Sequence, residues 1–354
     1  MIRFDHDFEE IIRIENLLQA WSEFSSGKCD KRDVQEFYLD LMDNILALHN
    51  DLISHNYQHD AYVRFNIYDP KPRNIHKATV RDRLLHRAIY RKLYPFFERV
   101  FISDSYSCRV NKGVHKALDR FKEFAYQASK NDTKTCWVLK GDIKQFFASI
   151  NHEALMSILQ EYIEDKDLLW LLGKIVKSFS GSKKNTGLPL GNLTSQLFVN
   201  IYMNEFDRFI KSNIKANHYI RYADDFVIFS EDKEWLQRKI IPIRKFLKEN
   251  LFLELHPDKL FIKTLRSGVD FLGWIHFFNH RILRTKTKQR ILKRIDKNPN
   301  PETLQSYFGL LSHGNTFKVR STIIKKRLLN ERNLLLCERF YFLSSHDLNK
   351  KTPR

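Results

Sequence analysis

The sequence predicts an α+β fold, with a mainly antiparallel sheet core between a helical start and a basic helical end. Three observations carry this. Apolar residues recur at helical spacing near the start of the chain, as in Ile11, Ile12, Ile14, Leu17, Leu18 and Trp21. Short runs of β-branched and aromatic residues, joined by brief turns, fill the middle, as in HYIRYADDFVIFS at 218–230. These strands and hairpins lie between a helical start and a basic helical end, which reads as α+β.

The elements follow in order. Residues 1–55 read as two helices, the second carrying Val34, Phe37, Leu41, Ile45 and Leu48 after GKCDKRD. YVRFNIYDPKPRNIHKAT reads as a hairpin, with strands through Phe65–Tyr68 and Asn74–His76 about the turn DPKPR. A helix follows at about 80–97. No element is assigned between 98 and 135. The strand CWVLKGDI, 136–143, ends at Asp142. Helices are expected at about 151–162 and 167–178, and a longer one at about 194–213 after GSKKNTGLPLGN. The YADD hairpin comes next, then a helix at about 233–249. FLELHPDKLFIKTL reads as strand–turn–strand and VDFLGWIHFFNHRILR as a last hairpin. Residues 286–350 return to helix. No repeats or low-complexity stretches interrupt the pattern.

A chain of 354 residues, 43% hydrophobic, can build about two or three domains with a real core. No apolar run approaches a membrane span, and MIRFDHDFEEIIRIE lacks a signal-peptide pattern, so an intracellular, cytoplasmic protein is expected. Cys29, Cys108, Cys136 and Cys337 are scattered, with no CxxC pair, and read as reduced thiols. The charge is uneven. Residues 281–354 hold 18 Lys+Arg against 5 Asp+Glu, so +13 of the chain's +18 lies there. A basic segment of mixed, aromatic-containing composition favours a nucleic acid over an anionic membrane.

The pair Asp224–Asp225 raises the chemical question. Adjacent carboxylates at a hairpin tip repel unless a cation neutralises them, and an oxygen-loving divalent ion such as Mg²⁺ would do so. A decorated turn is the plain alternative. Asp142, at the end of its own apolar strand, supplies a third carboxylate if that strand neighbours the hairpin. Three carboxylates at one sheet edge would cage two metals about 3.5–4 Å apart, the arrangement used for in-line displacement at phosphorus.

Asp142-Ile-Lys-Gln-Phe-Phe147, then Tyr222-Ala-Asp-Asp225, then Phe271-Leu-Gly-Trp274 resemble, in order and spacing, a reverse transcriptase. The resemblance implies a right-hand polymerase fold, with a helical N-terminal extension at 1–55, fingers and palm at 56–278 and a basic helical thumb at 279–354. It implies that Asp142 and Asp224 ligate two Mg²⁺ ions, with Mn²⁺ as a substitute, supported by Asp225 and the Ile143 carbonyl. Phe147 matches the aromatic gate under the incoming sugar, though alone it reads equally as a core ring, a part Phe146 could take instead. Lys71, Arg73 and Arg81 match cations reaching over the triphosphate, though each alone is an ordinary surface charge. Lys259 in HPDK matches a general acid near the leaving pyrophosphate. Phe271, Leu272, Gly273 and Trp274 match the primer grip.

Two stretches narrow the class. In GLPLGNLTSQLFVNIYMNEFD, 187–207, Leu190 and Gln196 flank Gly191 and Ser195 where most reverse transcriptases have glutamine and proline. With FISDSYSCRVNKGVHKALDRF, 101–121, this resembles the reverse transcriptases of diversity-generating retroelements of bacteria and phages. Those enzymes copy a template RNA with errors opposite adenine and work with a small basic multimeric accessory protein. Leucine at 190 offers shape but no polar contact, which weakens selection. No residue set after 280 resembles an RNase H or HNH nuclease. A retron, group II intron-like or anti-phage reverse transcriptase would share the three aspartates. An RNA-dependent RNA polymerase would not use Phe147. A non-catalytic basic RNA-binding protein fits the charge but leaves the carboxylates unexplained.

Overall fold

The computed structural model describes residues 2–68, 72–181, 183–298 and 300–326. They form two compact units that divide between Thr264 and Leu265.

The first unit opens with four helices rather than the expected two: α1 (Phe8–Ile12), α2 (Ile14–Ser25), α3 (Arg32–Leu39) and α4 (Leu41–Ile53). Each expected helix breaks at one residue. Arg13 leaves the helical conformation at φ −48°, ψ 136°, and Asp40 at φ −117°, ψ 42°. Buried Asn16 donates to the Ile11 carbonyl left open by the first break, at 2.7 Å. The apolar period runs on across both breaks, so periodicity alone does not reveal them. β1 (Val63–Ile67) and β2 (Arg73–Lys77) then pair antiparallel. α5 (Val80–Val100) follows, capped by the Thr79 hydroxyl, which accepts from the Asp82 amide. It packs against α2 and, later in the chain, against the long helix.

α6 (Val114–Ala128) fills the stretch left unassigned. Its buried Ala117, Leu118, Phe121, Phe124, Ala125 and Ala128 fall at helical spacing. β3 (Trp137–Asp142), α7 (Phe146–Ser149), α8 (His152–Tyr162), α9 (Lys166–Lys177) and α10 (Leu193–Ser212) come next. β4 (Tyr219–Tyr222) and β5 (Asp225–Ser230) make the YADD hairpin, and α11 (Lys233–Asn250) leads to β6 (Phe261–Thr264). The sheet order is β4–β5–β3–β6, antiparallel throughout. Only the second half of FLELHPDKLFIKTL becomes a strand. Phe252 sits at φ +52°, and Leu255 makes a single bridge to Ile143 before a 3₁₀ turn at Pro257–Lys259.

The second unit carries β7 (Val269–Phe271), β8 (Trp274–His276) and β9 (Arg281–Leu283), a three-stranded meander where one hairpin was expected. α12 (Thr285–Lys297) and α13 (Pro301–Leu311) follow, and residues 317–326 are helical. The rest of the expected 286–350 helical region, with Cys337, lies outside the described residues. Cys29, Cys108 and Cys136 are free thiols.

One buried ion pair ties the sheet to α10. Arg221 on β4 forks onto Asp207 with bonds of 2.7 and 2.6 Å, both side chains within 1% of fully buried. Tyr219 adds its hydroxyl to Asp207 at 2.6 Å, and Arg221 also donates to the Ala223 carbonyl at 3.2 Å. Removing one partner strands a buried charge. Asp207→Ala should lower unfolding free energy by about 3–5 kcal/mol in urea denaturation, and Asp207→Leu with Arg221→Met should recover part of it. A loss below about 1 kcal/mol would show that water reaches the pair.

Candidate active site

The sheet register assembles the carboxylates. Asp142, the last residue of β3, lies directly opposite Asp225, the first residue of β5. Directly paired residues on one face hold their Cβ atoms about 4.5–5.5 Å apart, and like charges there are unfavourable. Asp224 occupies the two-residue turn beside them. Its neighbour Ala223 adopts φ +54°, a left-handed conformation that is uncommon and strained for a residue with a Cβ. Gly141 permits the tight packing behind this edge, since a Cβ there would lie 2.3 Å from the Phe226 ring.

Two lysines compensate the charge. Lys259 donates to Asp142 at 2.7 Å from the 3₁₀ turn, which is fixed by the His256 amide bonding the Asp142 carbonyl at 2.8 Å. Lys140, with 8% of its side chain exposed, stands 3.3 Å from Asp225 Oδ1. That oxygen is buried and accepts no hydrogen bond. Burial first, then the charges of Asp225 and Asp142, push the Asp224 carboxyl up to about 6. Burial likewise raises Asp225, with Lys140 opposing.

Lys140 escapes the sequence reading, although a signal exists. A lysine inside the apolar run CWVLKGD, two residues before Asp142, shares its strand face. Buried lysines are rare unless paired.

Among the described residues, no three His, Cys, Asp or Glu side chains are gathered closely enough to hold a metal ion as they stand. The donor set nonetheless fits one. Asp142 and Asp225 stand opposite one another with Asp224 in the adjoining turn, all hard oxygen donors, and one buried carboxylate oxygen lacks a hydrogen bond. Ile143 is bound here through its amide, which donates to the Asp224 carbonyl at 3.3 Å.

The other expected residues separate. Phe146 is buried in the core and Phe147 is half-buried, which assigns the core role to Phe146. The Phe147 carbonyl accepts from the Leu188 amide at 2.8 Å, and the Leu190 carbonyl accepts from the His76 amide at 2.9 Å. These bonds join α7, the 187–192 loop and the β1–β2 hairpin into one surface. Gly191, at φ +118°, lets that hairpin close, since a Cβ would lie 2.9 Å from Ile75. Arg73 is exposed at the start of β2, and Lys71 lies outside the described residues.

Two groups of expected residues sit away from open surface. Arg81 is committed to the N-terminal helices: its guanidinium pairs with Asp51 at 2.6 Å and lies over the Tyr57 ring. Phe271 and Trp274 offer no aromatic surface, being 0% and 1% exposed. Only Leu272 and Gly273 remain partly open, in a turn with φ +49° and +85°. Gln196, half-buried in the first turn of α10, lines a cavity with α5 residues.

Comparison with known proteins follows the same direction. The family model described as reverse transcriptase (RNA-dependent DNA polymerase) matches residues 68–276. Protein YkfC of Escherichia coli (strain K12) is 27% identical over 284 residues, 68% of this chain and 71% of that protein. Group II intron-encoded protein LtrA of Lactococcus lactis subsp. cremoris is 24% identical over 290 residues, 62% of this chain and 46% of that protein. The putative COX1/OXI3 intron 2 protein of Saccharomyces cerevisiae is 22% identical over 255 residues, 55% and 29% of the two chains. The chain spans less than half the length of these two intron-encoded relatives. Among the described residues, no helix is long and apolar enough to cross a membrane.

Because Asp224 sits at about 6 rather than 3.8, the folded chain binds more protons than the unfolded chain between those values. Stability therefore falls as pH rises through that window. The expected loss is about 2 kcal/mol after solvent screening of a part-exposed group. Urea midpoints should show Asp224→Asn more stable than the native chain at pH 7 and nearly equal to it at pH 4. An advantage of the same size at both pH values would contradict the assignment.

Proposed function

The chain belongs to the reverse transcriptase family of RNA-dependent DNA polymerases, and we propose that it copies a template RNA into cDNA at the Asp142–Asp224–Asp225 cluster. The observation that carries this is the register that sets Asp142 opposite Asp225 with Asp224 in the adjoining turn. Asp142, Asp224 and Asp225, with the Ile143 carbonyl, would hold two Mg²⁺ ions. Bound divalent ions supply Lewis acidity at the primer 3′-hydroxyl and charge neutralisation at the leaving pyrophosphate.

The remaining roles belong to side chains of the chain itself. Lys259 carries a proton within reach of the cluster and would deliver it to the bridging oxygen as pyrophosphate leaves. Phe147, backed by Phe146, would exclude a 2′-hydroxyl and so select deoxynucleotides. Arg73, with Lys71, would meet the triphosphate from the exposed hairpin, while Leu190, Gly191 and Gln196 border the nucleotide. Leu272 and Gly273 would touch the primer end through their backbone. On this reading residues 1–55 are an extension, 56–278 fingers and palm, and 279–354 the thumb.

We further infer the diversity-generating class, with errors opposite template adenine and a small basic multimeric accessory protein as partner. Leu190 and Gln196 support it, together with the stretch at 101–121. The Leu190 backbone is held by His76, so its side chain can change without moving the loop. A faithful group II intron-like enzyme is the second reading, favoured by the two intron-encoded relatives.

Primer extension on an RNA template with dNTPs and Mg²⁺ tests the activity. Asp224→Ala should lower the rate by at least about a hundredfold, and an unaffected rate would remove the cluster from the chemistry. Sequencing the products, with the accessory protein present, tests the class. Errors concentrated opposite adenine are expected, and accurate copies would favour the intron-like reading. Leu190→Gln should cut misincorporation by about tenfold; an unchanged error spectrum would exclude Leu190 as its source.

A further inference from the structure

Lys140 is the one buried lysine among the described residues, and the polymerase chemistry leaves it without a part. It stands on an inner strand of the sheet, opposite Val227 on β5 and Phe261 on β6. Both neighbours are apolar, and an ammonium buried between them is unfavourable without a counter-charge. The strand supplies one by its period. Lys140 and Asp142 are two residues apart and share a face of β3. Asp225 lies opposite Asp142, so it is diagonal to Lys140 across the ladder, a separation that a long side chain spans. The ammonium ends 3.3 Å from Asp225 Oδ1. Among the described residues, Asp225 is its only ion-pair partner.

A second observation is independent of the first. Asp225 Oδ1 is buried, yet it accepts no hydrogen bond. Lys140 therefore approaches it as a charge and leaves the oxygen open. A buried acceptor without a partner is uncommon and calls for an explanation. The contrast with Lys259 sharpens the point. Lys259 donates a hydrogen bond to Asp142 at 2.7 Å and is 41% exposed, so it reaches its partner from solvent. Lys140 stands within the sheet, with 8% of its side chain exposed and little water to turn into. A divalent ion bound at Asp225 would meet a positive charge that stays in place. Across ~4–6 Å at the effective dielectric of a protein, that repulsion outweighs a factor of ten in affinity.

We propose that Lys140 is a positioning residue for the cluster: an internal counter-ion that holds Asp225 in place and weakens the cluster's affinity for divalent ions. Its charge thereby sets the ion concentration at which the site fills. This rests on the reading of Asp142, Asp224 and Asp225 as metal-binding carboxylates. It accounts for both observations together. A buried lysine needs a buried anion, and a carboxylate oxygen kept clear of hydrogen bonds is free to bind an ion. A neutral side chain at position 140 would grip the ion more tightly and leave Asp225 without a counter-charge in its absence.

The test reads ion binding directly, on the full chain without nucleic acid or nucleotide. Electron paramagnetic resonance of free Mn²⁺ gives dissociation constants for the native chain, Lys140→Met, Lys140→Arg and Asp224→Asn. Lys140→Met should bind Mn²⁺ about tenfold more tightly than the native chain. Lys140→Arg keeps the charge and should stay within about twofold of it. Thermal unfolding separates this from a merely structural role. In EDTA, Lys140→Met should melt below the native chain, because it strands a buried carboxylate. At one fixed Mn²⁺ concentration its melting temperature should rise by more than that of the native chain. Mn²⁺ binding in Lys140→Met that is no tighter than native would overturn the proposal, as would an equal melting loss with and without Mn²⁺. If Asp224→Asn binds Mn²⁺ as well as the native chain does, the metal reading of the cluster fails and the proposal falls with it. If Asp224→Asn loses binding while Lys140→Met gains none, only the proposal fails.

Discussion

The geometry of the cluster depends on the buried fork between Arg221 and Asp207. It joins the strand that precedes the YADD turn to the helix beneath the sheet. The same guanidinium reaches the Ala223 carbonyl, and the Arg221 amide bonds the Asp104 carbonyl. Its position therefore fixes where the turn begins. A turn with a left-handed alanine persists only where its surroundings over-determine it. The fork and the β4–β5 ladder provide that constraint. The placement of the carboxylates is thus a matter of packing beneath the sheet as much as of the residues that face solvent.

The carboxylate cluster holds like charges in close register, and the chain answers with two lysines of different character. Lys140 is buried on β3 and arrives with the strand itself. Lys259 is 41% exposed and arrives from a short 3₁₀ turn. The first is embedded in the sheet; the second can swing away without disturbing it. This division compensates the carboxylates both from within the sheet and from its rim.

Around this edge, backbone hydrogen bonds carry most of the organisation. The Phe147–Leu188 and His76–Leu190 bonds make a continuous path from α7 through the 187–192 loop to the fingers-like hairpin. Because main-chain atoms hold the path, the side chains at 147 and 190 can differ between relatives without moving it. The path is therefore independent of which side chains stand at those two positions.

Element type and order were largely legible in the sequence because apolar periodicity and turn residues are local signals. Asp142 at a strand end and the Asp224–Asp225 hairpin could be read for the same reason. Helix breaks at Arg13 and Asp40 could not, since the apolar period runs through them. α6 was legible in principle, from Ala117, Leu118, Phe121 and Phe124. Lys140 carried a signal, a charge within an apolar strand, but its partner did not. By itself the sequence determined the antiparallel core, the three carboxylates and the motif spacing that identifies the family. Tertiary structure alone decided which strand faces which and that Phe146 rather than Phe147 joins the core. It also decided that Arg81 turns to Asp51, that the Phe271 and Trp274 rings are buried, and that Lys140 reaches Asp225. Cross-strand register and long-range pairing bring together residues far apart in the chain, and no local pattern encodes those distances.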